Sequence, residues 1–137
     1  CLREHGATAC TDLSGFGLLG HLIEMTRASG VDAEIDLAAL PILDGAVETS
    51  AAGILSSLQA ANLHLRRALR NDEQGRAHAS YPLLFDPQTA GGLLASVPAE
   101  RASACLVALR SLAYARATCI GRVLAADDGL APIRLRL

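Results

Sequence analysis

Apolar residues recur at helical spacing from Phe16 onward. Leu19, Leu22 and Ile23 fall on one face, which predicts a helix over Gly15–Ser29 with Ser14 as its N-cap and Gly30 as its stop. The period then changes to two. Val31, Ala33 and Ile35 alternate with Asp32, Glu34 and Asp36, the pattern of a half-buried strand over Val31–Leu37. Pro41 interrupts the chain, and a short helix near Asp44–Ala52 ends at Gly53. Leu58, Ala61, Leu65 and Leu69 share a face, with Arg66, Arg67 and Arg70 off it, so a further helix is expected over Leu58–Arg70. Asn71–Ser80 is polar and contains Gly75, and is read as a surface loop. Leu83-Leu84-Phe85 leads to a turn at Asp86-Pro87 and a short strand over Gly92–Val97. Pro98–Leu112 carries Ala102, Cys105, Leu106, Leu109 and Leu112 on one helical face. Cys119–Leu124 and Ile133–Leu137 read as closing strands around a turn at Asp127-Asp128-Gly129. Helices and strands mix without regular alternation, which favours an α+β layer structure over a doubly wound parallel sheet.

Composition narrows this picture. The 137 residues suit a single domain, expected to span 1–137, and with 51% hydrophobic and 19% charged residues an ordered fold is expected rather than disorder. A net charge of −2 offers no electrostatic footprint for nucleic acid or an anionic membrane, so neither is expected as a partner. No apolar run reaches the ~18 residues of a membrane span, and no secretory signal is visible. The chain starts at Cys1 rather than Met and is therefore expected to be a piece of something longer. All twelve basic residues are Arg, which excludes lysine chemistry within it. Cys1, Cys10, Cys105 and Cys119 form no C-x-x-C pair, and reduced thiols in a cytoplasmic protein are the better reading. Cys1, His5, Cys10 and His21 are a zinc set to weigh, but their spacing matches no closed tetrahedral pattern.

Two runs carry candidate chemistry. In Thr11-Asp12-Leu13-Ser14-Gly15-Phe16-Gly17-Leu18-Leu19-Gly20-His21, the glycines spell a dinucleotide fingerprint. That reading needs a buried strand before them, whereas Ala9–Ser14 is polar and sets a carboxylate where a pyrophosphate must approach. With a cation the arrangement makes sense: Asp12 then ligates the metal and the helix N-terminus favours the anion. Alternatively Asp12 caps the turn through its own backbone, and spacing alone weighs capping ahead of ligation. In the second run, Leu84-Phe85-Asp86-Pro87-Gln88-Thr89-Ala90-Gly91-Gly92-Leu93-Leu94, the paired glycines let backbone pass close to another surface. This is either a second wall of a phosphate-bearing site or a tight turn where two backbones pack. His21 is expected to be partly buried and hydrogen-bonded, on the far side of its helix from Phe16; His64 and His78 are expected at the surface. No Ser/His/Asp or Cys/His nucleophile can be argued.

Together, these runs closely resemble the C-terminal domain of the selenophosphate synthetase (selenide, water dikinase) family. Leu40-Pro41, Gly45-Ala46, Asn62 and Ile120-Gly121-Arg122-Val123 follow in the same order, so the resemblance covers nearly the whole chain. It departs at Leu13 and Ser14, where the family usually has Val and Thr, and at Ala90, where Ser is usual and a hydroxyl is lost. The resemblance implies an α/β/α layered domain with partial ferredoxin-like character, like the C-terminal domain of the aminoimidazole ribonucleotide synthetase superfamily. It implies conversion of ATP, selenide and water to selenophosphate, AMP and phosphate with magnesium, Asp12 standing at the position of a magnesium ligand. Thr11, Gly15, Gly17, Thr89, Gly91 and Gly92 become candidate loop residues on the phosphate side. The family's reactive Cys or selenocysteine, its essential Lys and most nucleotide contacts lie in an N-terminal ATP-binding domain, which also forms the homodimer. No segment here matches that domain, so no catalytic residue is expected in this chain and the chain alone is expected to be inactive. Two alternatives stand beside this: a related synthetase or kinase acting on an aminoimidazole, thiamine phosphate or carbamoyl group, and a non-catalytic binding domain that keeps the fold. The Asp-Pro-Gln-Thr run argues against the first.

Overall fold

An acidic strand lies at the centre of the molecule. β2 (Val31–Asp36) runs antiparallel to β4 (Gly121–Ala125) and parallel to β5 (Ile133–Arg136), giving a three-stranded sheet in the order β4-β2-β5. The computed structural model describes residues 1–127, 129 and 131–137; Asp128 of the expected final turn lies outside them. β2 occupies the expected span but is not half-buried: Asp32 and Glu34, on the face expected to meet water, are only 7% and 8% exposed. Strand register explains why burial is tolerated. Glu34 sits opposite Arg122 and accepts from its Nε at 3.0 Å, while Asp36 sits opposite Arg136 and pairs with it. Asp32 accepts from Arg70 Nη2 at 2.5 Å and from the Asp127 N–H at 3.0 Å. Opposite charges on directly facing strand positions stabilise the pairing, and each buried carboxylate keeps a partner. The Arg136 hydrogen bond holds the Asp36 carboxyl below the usual range, and that of Arg70 does the same for Asp127.

α1 (Gly17–Ser29) packs Leu18, Leu19, Leu22 and Ile23 into one cluster with Ala33 and Ile35 of β2, Ile133 and Leu135 of β5, and Leu84 and Phe85. Gly30 closes the helix in the left-handed conformation, as its position predicts. Ser14 does not cap it. The N-cap is Phe16, whose ring offers no acceptor, and Ser14 lies two residues earlier, bonded to His21. A second, two-stranded sheet pairs β1 (Ala9–Asp12) antiparallel with β3 (Leu93–Ser96). β1 was not expected; it is half-exposed rather than the buried strand a dinucleotide fold requires. α2 (Ala46–Ala51) lies within its expected span and α5 (Ala99–Ser111) close to its own.

The expected helix over Leu58–Arg70 is broken. α3 (Gln59–Asn62) passes into a 3-10 helix over Leu63–Ala68, and Leu69 is extended to bridge Ile133. Leu58 and Ala61 are exposed, while the polar Gln59 and Asn62 are buried. Their amides bond distant backbone: Gln59 Nε2 donates to the Pro82 carbonyl at 2.7 Å, and Asn62 to two loops considered below. The expected loop at 71–80 holds a helical turn, α4 (Asp72–Gly75). There Asn71 pairs with Leu135 as a strand would, donating Nδ2 to its carbonyl at 2.8 Å and accepting its N–H at 2.9 Å. The Tyr81 hydroxyl donates to Asp72, and burial with that carboxylate pushes Tyr81 up to about 12.

Candidate functional site

The two glycine-bearing runs are brought together by backbone. Asp12 ends β1 opposite Leu93, the Leu13 N–H donates to the Gly92 carbonyl at 2.9 Å, and the Gln88 N–H donates to the Ser14 carbonyl at 3.1 Å. Asn62 ties the same two runs from below, donating Nδ2 to the Gly15 carbonyl at 2.9 Å and the Phe85 carbonyl at 3.0 Å. Each such bond ordinarily contributes about 1 kcal/mol, and leaving a buried carbonyl unpaired costs more. Sequence order alone placed Asn62 among the family-like positions without showing this clamp.

The glycines divide by role. Gly17 has φ +67°, and a Cβ there would lie 2.9 Å from the Leu84 carbonyl oxygen. At Gly91 a Cβ would lie 2.2 Å from the Leu13 carbonyl oxygen. Both residues therefore serve the contact between the runs. Gly15 and Gly92 are exposed and meet nothing within 4 Å. Thr89 is exposed beside them in sequence. Strand alternation puts Thr11 and Asp12 on opposite faces of β1, and the Thr11 hydroxyl donates to the Asp12 carbonyl at 3.2 Å.

Asp12 does not cap its turn. The N–H that an Asx turn would use belongs to Ser14, two residues on, and it donates to His21 Nε2 at 3.1 Å. His21 is buried, and its ring lies 5.8 Å from that of Phe16, beside it rather than on the far side of the helix. The bond keeps the Nε2 lone pair aimed at the chain. The consequence is at Asp12. Its carboxylate is exposed and has no ion-pair or hydrogen-bond partner among the described residues, whereas the acids of β2 are all paired with arginine.

The model of the AIR synthase related protein, C-terminal domain, matches residues 1–131. The chain belongs to this family. The domain is also 38% identical over 129 residues to selenide, water dikinase 2 of Peptoclostridium acidaminophilum, covering 93% of the chain and 36% of that relative. It is 38% identical over 125 residues to the selenide, water dikinase of Caldanaerobacter subterraneus subsp. tengcongensis, covering 89% and 35%. A third, from Geobacter metallireducens, is 40% identical over 105 residues, covering 77% and 30%. The chain thus spans about a third of the length of these curated relatives. The expected resemblance and the α+β class both stand.

One carboxylate of this AIR-synthase-related domain was read from the sequence only as part of a turn. Asp86 is half-buried beside Gly17, and burial raises its carboxyl above the usual range, with no ion pair among the described residues to offset it. The unfolded chain therefore ionises first as pH rises, and the folded state carries a penalty once both forms are charged. Asp86→Asn is expected to melt higher than the parent at neutral pH. That gain should disappear below the ordinary carboxylate pKa of about 4. Thermal melts at the two pH values check this, and a gain independent of pH would discount the burial argument.

Proposed function

We propose that this chain is the C-terminal part of an ATP-dependent selenophosphate synthetase, forming one wall of a magnesium–phosphate site and inactive alone. The observation that carries the reading is the Asp12 carboxylate, exposed and without a partner among the described residues at the point where the two glycine runs meet. A carboxylate oxygen in that state fits magnesium, which binds through one or two carboxylates, water and substrate phosphates. When bound, the ion would offset negative charge on the transferring phosphoryl oxygens. Asp12 would hold it from one side. Gly15, Gly92 and Thr89 leave open backbone toward which a phosphate can approach, and His21 keeps the Ser14 N–H from closing on the carboxylate.

Other features support a partner domain. Phe16, Leu43, Ile54, Leu55 and Leu58 are all exposed, apolar surface of the kind that a partner domain would cover. An N-terminal ATP-binding domain of the same polypeptide, dimeric in the whole enzyme, would cover it. The four cysteines are free, which fits a reducing cytoplasm, and no helix among the described residues is long and apolar enough to cross a membrane.

The test is AMP formation from ATP by the full-length protein with and without selenide. The proposal expects AMP only when selenide and magnesium are both present. Turnover supported by an aminoimidazole, thiamine phosphate or carbamoyl acceptor instead would assign the domain to another synthetase, and no turnover with any of them would leave a binding domain.

A further inference from the structure

The zinc set weighed from the sequence does not assemble. Cys10 lies on the exposed face of β1, and His21 is buried under Ser14. Cys1 and His5 instead meet a thiol from the far end of the chain. Residues 1–6 form a helical turn, with the His5 N–H donating to the Cys1 carbonyl at 3.1 Å, so that Cys1 and His5 share a face. The one fully buried residue of α5, Cys105 at 3% exposure, points into the same place. One ligand atom from each of the three lies within 4.8 Å of the other two.

We infer that Cys1, His5 and Cys105 form a binding site for a thiophilic divalent cation of the zinc class, pinning α5 to the N-terminal turn. Two thiols and an imidazole are a donor set for zinc and not for magnesium or calcium. The spacing is close to what the metal needs. With Zn–S about 2.3 Å and Zn–N about 2.0 Å, tetrahedral geometry separates sulfur from nitrogen by about 3.5 Å. Cys1 Sγ already lies 3.8 Å from His5 Nδ1. On binding, each thiol releases its proton to solvent. The imidazole ligates through Nδ1, moves its proton to Nε2 and gives up its 2.9 Å bond to the Cys1 carbonyl. Water completes the fourth position, since Cys1 and His5 are only half-buried. The fold has a use for such a staple. α5 buries only Cys105 and leaves Val107 exposed, so packing alone holds it weakly.

Anaerobic titration of the reduced full-length polypeptide with Co²⁺, followed by Zn²⁺, tests this. One equivalent is expected to give a thiolate-to-cobalt charge-transfer band with tetrahedral ligand-field bands, both lost on adding Zn²⁺. Cys105→Ala and His5→Gln should each remove that equivalent, whereas Cys10→Ser and Cys119→Ser should keep it. His5→Gln lies at a half-buried position, so the test survives if the core variant folds poorly. Hydrogen exchange in α5 should slow with Zn²⁺ in the parent and not in His5→Gln. Absence of the thiolate band in the parent, its survival in both Cys105→Ala and His5→Gln, or a Cys1–Cys105 disulfide in place of metal would overturn the inference.

Discussion

Asp12→Asn in the full-length protein is expected, on the proposed synthetase reading, to cut selenide-dependent AMP formation by about 10²- to 10³-fold, the usual cost of removing one group that stabilises transition-state charge. The same change should leave the fold alone. Asn matches Asp in size, the side chain is exposed, and no partner among the described residues is lost with the charge. A stability change within about 0.5 kcal/mol is therefore expected, as at other surface positions. On the same reading the variant should also need more magnesium to reach its remaining rate, because Asp12 would no longer lend a charged oxygen to the ion and its phosphates. Initial rates across a magnesium series, alongside a thermal melt, separate these effects. Near-normal turnover at ordinary magnesium would remove Asp12 from the ligand role, whatever the melt shows.

The reasoning behind that variant joins residues that the sequence showed only singly. The spacing of Leu19, Leu22 and Ile23 and the alternation from Val31 were legible because each obeys one period, set by the element itself. The Ser14–His21 bond was not, because it joins a turn to a helix seven residues on through a ring nitrogen, and Ser14 reads equally well as a cap. The same limit explains the helix expected over 58–70. Its apolar stripe is real in sequence, but the Gln59 and Asn62 amides turn inward to pair carbonyls of distant loops, and Leu58 and Ala61 are left exposed. Leu69 must then extend to meet Ile133. β1 escaped notice because Ala9–Asp12 is short, polar and half-exposed; its partner β3, not its own pattern, makes it a strand. At the site, residue types pointed to Asp12 and the glycines. Which glycines pack and which stay open depended on distances between two runs about seventy positions apart.

That last distinction predicts opposite outcomes at adjacent residues. Gly91→Ala would force a Cβ to within 2.2 Å of the Leu13 carbonyl oxygen and 2.6 Å of Gln88 Oε1. The glutamine can swing away, but the carbonyl belongs to the turn just beyond β1 and cannot move without disturbing neighbouring bonds. The two at risk are the Leu13 N–H to Gly92 and the Gln88 N–H to Ser14. Overpacking costs about 1–3 kcal/mol, and each lost bond about 1 kcal/mol more. Gly91→Ala is thus expected to destabilise by about 3 kcal/mol, lowering the melting temperature by about 10 °C. Gly92→Ala meets no atom within 4 Å and has no positive φ, so it should stay within about 0.5 kcal/mol of the parent. Paired melts of the two variants read this directly. Equal losses would mean that the clamp between the runs is not what Gly91 serves. If Gly92→Ala keeps its stability and loses turnover, the open glycine is the one a phosphate approaches. The closed one then holds Asp12 where it can share that phosphate's cation.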